Sequence, residues 1–349
     1  MGIYYFLLAV ILILAFLTKD SEYKTYRNKF ITILSCILIF FIQALRHFTV
    51  GTDLEGYLNS LEVAKYYNFL QGEKLLNYEL GYSLFCKFFS ITNISKQLYI
   101  SIIALIIISL LGFIWLRYSK IPWLSIIIYI TLGFFTFTFS GIRQSLALAI
   151  TFFSFKYVEK RKIFKFLLCI LLAISFHKTA FIFIIAYPLY SLKLRSKELI
   201  FVFLSLVLIF LLKTKIFNII YFIWINETNN STNINAYTML IIMIFVYILA
   251  IIMSKNSNND NIINACKNYM LMSIVIQIFA SESNVVMRAG YYYYIFITLL
   301  IPNIIEIQKD KLIKNMGLIL LIILLIIFYY LTTHNGYLNV VPYKFFWSL

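Results

Sequence analysis

Charge is scarce in this chain. Asp, Glu, Lys and Arg make up 13% of its 349 residues, where soluble domains carry roughly a quarter. That excludes a water-soluble globular surface. Cysteine is nearly absent too: Cys36, Cys86, Cys169 and Cys266 form no CxxC pair, so neither a disulfide framework nor a zinc site is indicated. There is no P-loop, no Rossmann glycine pattern, no HExxH and no GxSxG, which removes the common nucleotide, zinc-protease and serine-hydrolase signatures. A cleavable signal peptide is not expected either. Residues 3–17 are apolar, but no basic residue precedes them and no small-residue cleavage site follows.

What the chain has in abundance is apolar sequence, 62% of its residues. Many runs approach the roughly 20 residues needed to cross a bilayer. The expected fold is all-α: a polytopic helix bundle with lipid as its outer solvent. We read about twelve spans, at 3–17, 30–46, 98–116, 121–139, 142–158, 163–178, 179–192, 198–212, 237–253, 268–281, 289–306 and 316–332. Residues 1–349 are taken as one transmembrane domain. The net charge of +16 is not a nucleic-acid signal, because the basic residues fall in short loops between apolar runs. Lys19, Lys24, Arg27 and Lys29 mark one cytoplasmic loop, as do Lys156, Lys160, Arg161, Lys162 and Lys165. Lys193, Arg195 and Lys197 mark another, and Lys309, Lys311 and Lys314 a fourth.

This charge pattern makes residues 47–97 a large external loop. Within it, 81–92 reads as an amphipathic helix lying in the outer interface or dipping back into it. Ser83, Lys87 and Ser90 would form its polar face, opposite Leu84, Phe85, Phe88 and Phe89. All three histidines then fall on the external face, with Arg46, Arg143, Glu282 and Arg288.

Several of these external residues suit anion or proton chemistry. In Ser140-Gly141-Ile142-Arg143-Gln144 an arginine opens an apolar helix, where free backbone N–H groups and the dipole also favour an anion. The plainer reading is an arginine snorkelling to the interface; Gln144 beside it favours a polar pocket. Asp53 follows Val50-Gly51-Thr52 and fits either a helix cap or a carboxylate held over the membrane surface. With Glu55 it makes a D-x-E pair that can hold a divalent metal, although no cofactor is expected. Glu79 is a solvated first-turn charge or a general base. Tyr57, Tyr78 and Tyr82 suit membrane anchoring or stacking on a sugar ring. His177, beside Lys178, is a structural histidine, a phosphate ligand or a proton carrier. Arg288 repeats the Arg143 arrangement ahead of Tyr291 to Tyr294, which form an aromatic belt or line a sugar groove.

These pieces, in this order, resemble the EpsG family of Wzy-type polysaccharide polymerases. The likeness rests on Arg46 with Val50-Gly51-Thr52-Asp53 and Tyr57, then Glu79-Leu80-Gly81-Tyr82 and Ser140-Gly141-Ile142-Arg143-Gln144 with Leu146-Ala147. It continues through Phe176-His177-Lys178-Thr179-Ala180, Arg288 with Tyr291 to Tyr294, and Ile301-Pro302. His177 departs from the pattern, being followed by Lys178 where a small hydroxyl residue is expected.

The resemblance implies a multispan, lipid-dependent glycosyltransferase at the external face of a bacterial inner membrane. Such an enzyme joins oligosaccharide repeat units carried on undecaprenyl diphosphate into exopolysaccharide, capsule or O-antigen. Its partners would be that lipid-linked donor and acceptor and the bilayer, with a chain-length regulator and flippase of the same pathway. On this reading Arg143 and Arg288, supported by Arg46, Gln144 and Lys178, bind the lipid diphosphate. Asp53, Glu79 and His177 are the catalytic candidates, a carboxylate being preferred as base. Tyr57, Tyr78, Tyr82 and Tyr291 face the sugar. The rivals are a glycan ligase using the same donor, a flippase or transporter, and a non-catalytic scaffold. Transporters place charge near the bilayer midplane, often in paired repeats. No such charge or internal repeat is seen in the expected spans.

Overall fold

A computed structural model describes residues 2–17, 24–68, 76–224, 235–255, 260–334 and 337–348. Among the described residues the regular elements are helical, and the one isolated β-bridge pairs Arg46 with Phe345. Two compact units are present. The first comprises Met1–Phe181 with Gln308–Leu349, the second Ile182–Ile307.

The structure bears out the all-helical membrane bundle but does not confirm about twelve spans. Among the described residues six helices are long and apolar enough to cross a bilayer, or seven if Pro122–Thr131 and Phe134–Ser140, bent by 57° about Gly133, form one broken span. Gly133 sits at φ +84°, a left-handed conformation open to glycine. Gly2–Leu17, Ile163–Phe176 and Lys178–Leu189 are apolar but have 10–17 residues, short of the roughly 20 a span needs. The run read as 198–212 continues as a helix, Ser196–Trp224. Lys213, one residue past that run, is held by bonds from Nζ to Tyr237 Oη (2.6 Å) and Ser281 Oγ (2.6 Å), with Glu282 Oε1 3.4 Å away.

In the first unit, Lys24–Ala44 packs on Lys96–Tyr118, which packs on Ile142–Glu159, which lies beside Ile163–Phe176. The first and last of these pairs run antiparallel and the middle pair runs parallel. Gln97, at the start of one helix, bonds the carbonyls of Ala44 and Arg46 past the end of its neighbour. At the other end Tyr118 Oη reaches Glu159 Oε2 at 3.1 Å. Ser95 caps its helix by accepting from Leu98 N at 3.2 Å, and Asp310 does the same for Lys311–Thr333. This arrangement sorts the charges. Lys24, Arg27, Arg117, Lys120, Lys156, Arg161, Lys165 and Lys311 gather where these helices meet at one end of the unit. Arg46, Glu79, Arg143 and His177 lie at the opposite helix ends.

Residues Leu80–Ile91 form the helix expected at 81–92, but its faces are turned the other way. Ser83 and Ser90 are buried, while Leu80, Phe88 and Ile91 point outward. Lys87 satisfies itself on the protein, its Nζ donating to the carbonyls of Ala64 (3.0 Å) and Lys65 (3.3 Å). An outward face made of leucine, phenylalanine and isoleucine suits lipid better than water.

In the second unit Asn261–Ile278 packs against Asn235–Met253, Asn284–Tyr294 and Ile297–Glu306. Tyr269 and Tyr293 hold its centre, donating to the carbonyls of Ala186 (2.9 Å) and Ile182 (2.7 Å).

Candidate functional site

Glu79 is the hub of the first unit's polar end. It sits one residue before the Leu80–Ile91 helix, in extended backbone, and makes no side-chain cap. Its carboxylate instead turns to two other elements and is 7% exposed. One oxygen accepts from Arg143 Nη1, 64 residues away in sequence. The other lies 3.1 Å from His177 Nδ1 and 3.0 Å from the Lys178 backbone N–H. Three donors from two helix junctions thus converge on one carboxylate. Burial alone would raise the Glu79 carboxyl. The His177 imidazole, the Lys178 amide and the Arg143 guanidinium outweigh that and bring it down to about 2.

Arg143 is the second residue of Ile142–Glu159, as the sequence placed it. Its guanidinium lies 4.1 Å from the centre of the Tyr78 ring and 5.9 Å from that of Tyr57. These rings form a triangle with Tyr82, with centroids 5.5–5.8 Å apart. Tyr82 is fully buried and its hydroxyl accepts from Tyr99 Oη at 3.2 Å. Tyr57 and Tyr78 therefore frame the arginine, a cation–π arrangement that gains strength away from water, and Tyr82 supports them from beneath.

Close packing allows the helices to meet here. A Cβ on Gly81 would stand 2.2 Å from Ser175 Oγ, so only glycine lets Leu80–Ile91 approach the helix ending at Phe176. Gly51, at φ +111°, lies so close to Phe139 that a Cβ would be 2.2 Å from its carbonyl oxygen. That contact seats Thr52, whose N–H and hydroxyl both donate to Ser140 Oγ at 2.9 and 3.0 Å. The motif around Asp53 is thereby fastened to the motif around Arg143.

Asp53 itself occupies the N-cap position of Leu54–Val63 without making a side-chain cap bond. It is exposed, and its charge acts on the Tyr57 hydroxyl, as does that of Arg143. The two carboxylates thus stand in different surroundings: Glu79 committed to three donors, Asp53 open to solvent beside the same tyrosine. Lys178 extends its side chain outward while its amide serves Glu79. Gln144 is buried at 3% exposure. Arg46 is buried as well, its guanidinium 4.7 Å from the centre of the Phe139 ring. Arg288 and Tyr291 belong to the second unit, Arg288 exposed and Tyr291 half-buried; Tyr292, Tyr293 and Tyr294 are core residues there. Among the described residues no three His, Cys, Asp or Glu side chains gather as a metal site would require.

Sequence reasoning missed the C-terminal segment. Phe346 N donates to Leu45 O and His47 N to Lys344 O, both at 2.9 Å. Gly51 N donates to Asn339 O at 3.2 Å, and Tyr4 Oη to Val340 O at 2.8 Å. The signal was the alternation of Tyr343, Phe345 and Trp347; the first two rings meet edge to face at 5.1 Å and the last two stack at 4.6 Å. Alternation of that kind marks extended chain.

The family model described as the EpsG family matches residues 29–345. No curated relative and no solved structure matches the chain.

Proposed function

The chain belongs to the EpsG family, and from that premise we propose that it is a polysaccharide polymerase. It joins oligosaccharide repeat units carried on undecaprenyl diphosphate at the external face of the bacterial inner membrane. The observation that carries this reading is the convergence of Arg143, His177 and the Lys178 amide on Glu79. The cluster lies at the helix ends opposite the basic loops. By the positive-inside rule the basic ends are cytoplasmic, which puts the cluster outside.

In the reaction, an acceptor hydroxyl oxygen attacks the anomeric carbon of the donor sugar. The bond from that carbon to the diphosphate oxygen breaks, and the electron pair leaves with the lipid diphosphate. The hydroxyl proton passes to a base. Asp53 is the preferred base, being the exposed carboxylate beside Tyr57. Glu79 holds His177 through Nδ1, which leaves Nε2 to face a phosphoryl oxygen or carry a proton. Arg143 stabilises the charge that develops on the leaving diphosphate, with Gln144 next to it in the chain and Lys178 beside it on Glu79. Tyr57 and Tyr78 offer ring faces to sugar, with Tyr82 behind them.

Arg143→Ala should abolish polymer while the protein still inserts, and single repeat units should accumulate on undecaprenyl diphosphate. Unchanged polymer length and yield in that variant would overturn the assignment. A finished glycan moved intact to a different acceptor would instead make the protein a ligase.

A further inference from the structure

Leu338 and Asn339 both stand in left-handed backbone, at φ +63° and +51°. Asparagine enters that region readily, because its short amide can bond locally; leucine has no such compensation and is strained there. A strained residue persists only where its surroundings over-determine it, and such residues gather at functional sites. Here three consecutive carbonyls are held. Leu338 O accepts from Ser140 Oγ at 3.5 Å, Asn339 O from the Gly51 N–H at 3.2 Å, and Val340 O from Tyr4 Oη at 2.8 Å. The left-handed pair bends the chain so that neighbouring carbonyls reach three separate elements: the helix ending at Ser140, the loop before Asp53, and Gly2–Leu17. Tyr4 and Val340 are buried, so that bond anchors the segment and the other two act on the site.

Ser140 is the node. Its buried hydroxyl accepts from the Thr52 N–H and Thr52 Oγ1 on one side and donates to Leu338 O on the other. The next helix starts two residues later and carries Arg143. Gly51 is bound at Asn339 and Thr52 at Ser140, so both residues ahead of Asp53 are fixed from outside their own helix. Asp53 depends on this. It makes no side-chain cap bond on Leu54–Val63, so its place is set by the chain that leads to it.

We propose that residues 338–340 are a positioning element of the reaction, which holds the Asp53 backbone in fixed register with the helix that carries Arg143. Leu338 and Ser140 are positioning residues that act through Thr52 and Gly51. This rests on the polymerase reading above, in which Asp53 takes the proton and Arg143 faces the leaving group. A misplacement of about 1 Å can cost on the order of a hundred-fold in rate. A tether between base and cation therefore acts on turnover more than on binding.

The test uses the purified full-length protein in nanodiscs with two readouts: turnover of an undecaprenyl-diphosphate-linked repeat unit, and amide hydrogen exchange over residues 50–54. Leu338→Val puts a β-branched side chain where φ is positive, a conformation it avoids, and should release the segment. Exchange at the Gly51 and Thr52 amides should rise by about ten-fold or more. In the same variant kcat should fall by about ten-fold or more while KM stays within about two-fold. Ser140→Ala should give the same split, with the rise in exchange centred on Thr52. Leu338→Gly takes the left-handed conformation freely and should recover most of the turnover and protection that Leu338→Val loses. A role confined to packing of the leucine side chain would make the glycine variant the worse of the two, and that result would overturn the proposal. Faster exchange with unchanged kcat would overturn the positioning role. Unchanged exchange in both Leu338→Val and Ser140→Ala would overturn the tether; each of these results leaves the polymerase reading standing. A parent protein that turns over no lipid-linked unit would overturn that reading and the positioning role together.

Discussion

Replacing Glu79 with glutamine keeps the shape of the side chain and removes the charge on which Arg143, His177 and Lys178 converge. The carboxyl is held at about 2 against an ordinary 4.5. At about 1.4 kcal/mol per unit, that depression sets an upper bound of roughly 3.5 kcal/mol at neutral pH, which solvent screening brings nearer to about 2. The sign follows from the direction of the shift. A depressed folded-state value means the stabilisation is complete above the unfolded value of 4.5, declines below it, and is lost as the pH falls through about 2. Glu79→Gln should therefore lower the melting temperature of the purified protein by several degrees at pH 7. It should also flatten the loss of stability between about pH 5 and 2, because the variant has no carboxyl to protonate there. Thermal unfolding in detergent across that range, with lipid-linked polymer measured in parallel, is the assay. A variant that melts within a degree of the parent at pH 7 and keeps the parent's acid slope would refute the claim that Glu79 is the organising charge.

Gly81→Ala should cost more than 1 kcal/mol and reduce polymer yield, because its Cβ would meet Ser175 Oγ at 2.2 Å and drive Leu80–Ile91 off the helix that ends beside His177; a fully active, equally stable variant would contradict the packing. Gly51→Ala combines a φ of +111° with a 2.2 Å approach to Phe139 O, so it should unseat Thr52 from Ser140 and impair polymer formation. Single cysteines at positions 52 and 178, in a background without the four native cysteines, should react with an impermeant thiol reagent on intact cells. One at 161 should react only after the cytoplasm is opened, and the reverse pattern would invert the orientation.

The membrane class and the separation of basic from less basic loops were legible along the chain, because hydropathy and the placement of lysine and arginine are local properties. The individual site candidates were legible too, since Arg143 opens an apolar run and Glu79 and His177 are rare ionisable groups beside others. Span number was less legible. A run's apolarity does not show whether its helix continues past a lysine, as Ser196–Trp224 does at Lys213, or breaks at a glycine, as at Gly133.

Composition and charge order, then, already determined that this chain lives in a bilayer, that it is helical, and which residues were candidates for chemistry. Tertiary structure alone decided how those residues are used. Glu79 and His177 are 98 residues apart in sequence and 3.1 Å apart in space, so whether Glu79 is a free base or a committed anchor depended on which helix ends pack together. The pairing of Arg46 with Phe345 has the same origin. It arises from a contact between distant parts of the chain, which no local pattern of residues records.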